Sequence, residues 1–104
     1  MTIGDDFERM RTAMEEALGE TLDTEHPVRT ESQFWMRAIF AHFLCAHGWD
    51  DERIAALLGR DRSTVWYGRQ RIRQAMDLPR VYRDVIGKIN RFKSQYYELY
   101  GQNL

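Results

Sequence analysis

Between residues 60 and 73 the chain reads RDRSTVWYGRQRIR: five arginines, a glutamine, a Ser-Thr pair and adjacent Trp66 and Tyr67, with no acid after Asp61. Arginine can bond guanine through two parallel donors, glutamine can do the same to adenine, and serine or threonine reaches either a base or a phosphate. This set therefore suits a polyanion that also has edges to read, which is double-stranded DNA. A helix that is merely solvated mixes charge signs at four-residue spacing, whereas the arginines here repel one another unless an anion lies across them. Trp66 and Tyr67 beside them would be costly to expose without a partner, although Trp66 has the alternative of folding back on the protein.

Such side chains act together only if one element holds them on one face. Asp61 is placed to cap a helix whose inward seam is Val65, Gly68, Ile72 and Met76. At about 100° per residue, Ser63, Tyr67, Gln70 and Gln74 fall opposite that seam, flanked by Trp66, Thr64, Arg71 and Arg73. Arg62, Ser63, Trp66, Tyr67 and Gln70 are then the candidates for base edges, and Arg60, Arg69, Arg71, Arg73, Arg80 and Arg83 for phosphates. Just upstream, Asp50 can cap a shorter helix with Ile54, Leu57 and Leu58 inward, stopped by Gly59. Two short helices joined by a glycine turn are the outline of a helix-turn-helix.

The rest of the chain supplies a scaffold. Residues 5–22 carry Phe7, Met10, Met14, Leu18 and Leu22 at helical spacing among acids. The connector 23–30 contains Pro27, after which Thr30 and Gln33 match a capping box opening a mostly apolar helix to about His47. Leu78-Pro79 interrupts again, and Pro79 suits the first position of a last helix to about Tyr100, with Val81, Val85, Ile89, Phe92 and Tyr96 inward. No stretch alternates with period two, so the expectation is an all-α bundle of about five helices containing a helix-turn-helix, one domain over 1–104, its main bundle at 31–100.

A formal net charge of −1 conceals two unlike halves. Residues 1–52 hold four arginines against twelve acids, and residues 53–93 hold eleven Lys or Arg against three acids. The second half attracts a polyanion whatever the total. One cysteine, Cys45, excludes an internal disulfide and suits a reducing cytoplasm; no signal-peptide pattern and no spanning apolar run occur, so no membrane role is expected. His42, Cys45 and His47 fit no usual zinc spacing, and Ser63 lacks the context of a nucleophile, so neither metal, cofactor nor enzymatic activity is expected. The acidic first helix either packs on the bundle or binds a protein partner or second copy, and Tyr96, Tyr97 and Tyr100 either finish the core or form a self-association surface.

The run Ile54-Ala-Ala-Leu-Leu-Gly-Arg-Asp-Arg-Ser-Thr-Val65 resembles the DNA-binding C-terminal domain of the bacterial replication initiator DnaA, in which an Arg-Asp-His-(Ser/Thr)-Thr-Val motif opens the recognition helix. The resemblance spans roughly residues 34–90 and is specific within the motif. It implies that Asp61, Arg62 and Ser63 read major-groove bases, that Arg60 and Thr64 hold phosphate or support the turn, and that the protein is nucleoid-associated in a bacterium or phage, in replication control or transcription. The family's histidine is Arg62 here, and its minor-groove arginine has only Arg29 or Arg37 as a counterpart. No phosphate-loop signature is present, so nucleotide binding and the initiator's ATPase are excluded from the expectation. The promoter-reading fourth region of sigma factors is a similar helix-turn-helix. A module docking its basic helix on an acidic replication partner is the alternative of another class.

Overall fold

Thr30, Asp50 and Asp61 each stand in extended backbone one residue before a helix, and each side-chain oxygen accepts from the N–H three residues on, Gln33, Arg53 and Thr64 respectively. Those oxygens satisfy donors that the first helical turn leaves without partners. In the computed structural model, which describes residues 3–26 and 30–104, the resulting elements are α1 Ile3–Leu18, α2 Glu31–Ala46, α3 Asp51–Leu58, α4 Arg62–Asp77 and α5 Arg83–Tyr100. No strand occurs among the described residues, and the protein is a small all-α bundle. Pro27, Val28 and Arg29 lie outside the described residues.

Helix α2 is the central element because its apolar residues occupy most of its circumference: Trp35, Met36, Ala38, Ile39, Phe40, Ala41, Phe43 and Leu44 are all buried. It packs chiefly on α4, while α1 packs chiefly on α5. The α2–α4 approach is close because Gly68 carries no side chain; a Cβ there would sit 3.3 Å from that of Ala38. On the other side Phe7, Met10 and Met14 of α1 are buried, Phe7 lying edge-on to Phe40. Gln95 of α5 donates to Glu16, and Arg9 lies over the Tyr100 ring. The acidic helix thus places its apolar stripe against the bundle. Of the three tyrosines, Tyr96 completes the core, Tyr100 packs against it and against Arg9, and Tyr97 stays exposed.

Four local expectations are corrected. Helix α1 ends at Leu18 rather than 22; Leu22 is buried from the connector, its N–H bonded to Glu15 and its carbonyl to Arg11. The capping box at Thr30 is half made, because the Gln33 side chain turns away from the cap. It accepts from the Asp23 N–H at 3.0 Å and donates to the Thr21 carbonyl at 2.8 Å and to Glu20, tying the connector down from a buried position. Met76 is 42 % exposed and Ala75 takes its place in the α4 seam. Helix α5 begins at Arg83 rather than Pro79, since residues 78–82 form a turn in which the Val81 and Tyr82 N–H groups both bond the Leu78 carbonyl; Val81 is left exposed.

Candidate nucleic-acid interface

Everything about the outer face of α4 follows from how firmly its inner face is held. Val65, Gly68, Ile72 and Ala75 are buried, which fixes the rotation of the helix. At its start, the Asp61 carboxylate accepts from the Thr64 N–H at 2.7 Å and the Ser63 hydroxyl at 2.9 Å. Those bonds, the Thr64 backbone first, lower the pKa of Asp61 below the usual carboxylate value. Asp61 is therefore an ionised cap that orients Ser63. The turn before it is set by Gly59, at φ 63°, a left-handed conformation that side chains disfavour.

The cluster then separates into bound and open cations. Arg69 donates from Nε and Nη2 to the two carboxylate oxygens of Asp51 at 2.8 Å each, a paired contact that ties α4 to the start of α3. Arg71, on the opposite flank, points at α2 and the turn before α5. Its guanidinium lies over Trp35 at 5.4 Å and over Tyr67 and Tyr82 at 6.0 Å, and Nη1 donates to the Tyr67 hydroxyl. Arg60 donates to the carbonyls of Gly59 and His26, closing the turn against the connector. These three, expected on phosphates, are engaged within the protein: they brace α4, with Arg69 and Arg71 bracketing its outer face.

Between the brackets, Arg62, Ser63, Trp66, Tyr67, Arg73 and Gln74 are exposed, with Gln70 half-buried; Thr64, also exposed, lies beyond Arg71 on the side of α2. Trp66 is 53 % exposed, whereas Trp35 and Trp49 are buried. Tyr67 is also exposed but leans on Phe34 and is held at its hydroxyl by Arg71. Arg80 and Arg83 are exposed on and just after the α4–α5 turn, so both extend the basic surface beyond α4. Arg37 is half-buried in α2, lining a small apolar pocket with Phe34, Leu58 and Val65, and burial followed by the charge of Arg60 lowers its pKa. It stands behind the α3–α4 turn rather than on a projecting loop; Arg29 lies outside the described residues.

Three residues of the arrangement were not picked out as site residues from the sequence. Asp51 is an acid in the first turn of α3, where sequence alone points to nothing beyond the helix itself, and Trp35 and Tyr82 carry no signal of their own. Their role arises from elements distant in sequence meeting at α4. His42, Cys45 and His47 do not converge: His42 packs edge-on against Phe43, and His47 faces Asp6 at 4.0 Å. Among the described residues no group of three His, Cys, Asp or Glu could hold a metal ion, and no helix is long and apolar enough to cross a membrane.

His42 gives a pH dependence. Burial, then the charges of Arg69 and Arg73, lower its pKa from 6.5. The unfolded chain thus binds a proton more readily than the folded one, and His42 contributes stability that is present above pH 6.5 and lost as pH falls through its folded value. Thermal unfolding followed from pH 8 to pH 5 is expected to show the melting temperature falling below about pH 6.5, and His42→Phe is expected to flatten that limb.

No protein-family model, no curated protein and no solved structure matches the chain.

Proposed function

We propose that the chain binds double-stranded DNA with sequence preference, α3, its turn and α4 working as a helix-turn-helix with the outer face of α4 in the major groove, in replication control or transcription. The proposal includes no catalytic activity. One observation carries it: α4 is clamped on both flanks by Arg69 and Arg71, and the face left open between them offers Arg62, Ser63, Trp66, Gln70, Arg73 and Gln74 with no carboxylate from 62 to 73. A surface that needed only solvation would not require its donors to be held in one orientation. Asp61 and Thr64 support the start of that helix, and Tyr67 lies at its edge.

The bracing of Arg60, Arg69 and Arg71 changes the expected energetics. Of the phosphate candidates, Arg73, Arg80 and Arg83 remain exposed and open, so with about three phosphates neutralised, log affinity is expected to fall against log salt with a slope of about −3. Selection of bound duplexes from a random pool, followed by titration over salt, measures both preference and slope. Arg62→Ala should change the base preferred at one position, and Arg73→Ala should weaken all duplexes alike. Absence of binding to any duplex at low salt removes the proposal, and capture of an acidic protein abolished by the same substitutions would favour a docking module in its place.

A further inference from the structure

The indole of Trp66 stands largely in solvent on α4. The chain's other two tryptophans are in the core, and Tyr67 is secured by Phe34 and Arg71. Among the described residues neither a ring nor a guanidinium packs on Trp66. It stands one turn after Arg62 and one turn before Gln70 on the open face of α4, so its apolar surface is placed among donors rather than at the margin of the patch.

We propose that Trp66 forms a site for the C5-methyl group of a pyrimidine in the major groove, giving the protein a preference for thymine near the base contacted by Arg62. This rests on the DNA-binding reading above. An indole offers one N–H donor and no acceptor, so it cannot read a base edge in the paired manner of arginine or glutamine. The thymine C5-methyl is the apolar group that a base pair displays in the major groove, and apolar side chains discriminate there by covering it. Four residues of helix rise by about 6 Å, and base pairs step by about 3.4 Å. The methyl-bearing base therefore lies about two steps from the one met by Arg62. With Arg62 on a base edge and Arg73 on a phosphate, the indole between them is kept against the groove floor, where removing it from water is favourable.

Deoxyuridine differs from thymidine by that methyl alone and keeps every hydrogen-bonding group, which isolates the interaction. A duplex recovered from the random pool is made with each thymine in turn replaced by deoxyuridine, and affinity is measured for the unmodified protein and for Trp66→Ala. One or two positions are expected to lose about three- to five-fold with the unmodified protein, the size of one buried methyl. Trp66→Ala is expected to bind both versions equally, and 5-methylcytosine placed at the same step should bind more tightly than cytosine. Equal affinity for thymine and deoxyuridine at every position in the unmodified protein, with duplex binding intact, overturns this inference and leaves DNA binding standing. Single strands binding as tightly as the duplex would also overturn it, by making Trp66 a stacking platform. No binding to any duplex at low salt overturns both.

Discussion

Gly59→Ala is expected to lower the melting temperature by about 8–20 °C, a loss of about 2–4 kcal/mol at about 4–5 °C per kcal/mol for a domain of this size. Two effects add. The residue lies at φ 63°, where a Cβ meets its own backbone at a cost of about 1 kcal/mol. The new methyl would also fall 2.2 Å from the Thr24 carbonyl oxygen and 3.3 Å from its carbon, so the connector must move. It is poorly placed to yield. The Asp23 carboxylate accepts from the N–H groups of Glu25 and His26, the Asp23 N–H is bonded to buried Gln33, and the His26 carbonyl accepts from Arg60. Displacing Thr24 disturbs all of these, and overpacking of this kind adds about 1–3 kcal/mol.

Gly19→Ala and Gly101→Ala separate the two effects, because both positions have similar φ values, 67° and 66°, with nothing within 4 Å of the added Cβ. Each should lose only the conformational part, about 1 kcal/mol. Denaturant unfolding of the three variants side by side is the measurement. A Gly59→Ala no less stable than the two controls would show that the connector does not press on the α3–α4 turn. The consequence for the candidate interface is direct, since the same turn delivers Asp61, and through it Ser63, to the head of α4.

These contacts also show what a sequence can disclose. Asp61, Gly59 and the Val65/Ile72 seam were legible because each acts on residues within a turn of itself: a carboxylate three residues before an N–H, a left-handed glycine, a 3.6-residue period. The outer face of α4 was legible for the same reason, being whatever lies opposite the seam. The division of the arginines into bracing and open ones was not, because it depends on Asp51 meeting Arg69 across 18 positions and Trp35 meeting Arg71 across a longer stretch still. A helical wheel gives direction but not the chemistry of the neighbour found there. The start of α5 failed differently. Proline at a first helical position is a local preference, and it is overridden here by a turn that closes on the Leu78 carbonyl before the chain re-enters a helix at Arg83.

Asp51→Ala is expected to destabilise the fold by about 2–3 kcal/mol, the range for hydrogen bonds made by charged groups and left unmade. An exposed ion pair would contribute far less, but the Arg69 and Asp51 side chains are only 16 % and 18 % exposed, and they are joined by two bonds of 2.8 Å each. Removing the carboxylate leaves the Arg69 guanidinium partly buried without its acceptor, so the loss exceeds the net worth of the contact. Arg69→Met in the same chain should recover most of it, because methionine fills the space with no charge to satisfy. A double-mutant cycle in denaturant gives the coupling, and an Asp51→Ala effect below about 0.5 kcal/mol would class the pair with surface ion pairs. The single variant also has an expected signature on DNA. Under the proposed DNA binding, a phosphate at the edge of the open face can replace the missing carboxylate as the acceptor for Arg69; the salt slope should steepen by about one while preference among sequences weakens, because α4 is no longer held at both flanks. Tighter and less selective binding from a less stable protein would separate a clamp that positions the helix from a residue that contacts DNA itself, whose loss would weaken binding instead.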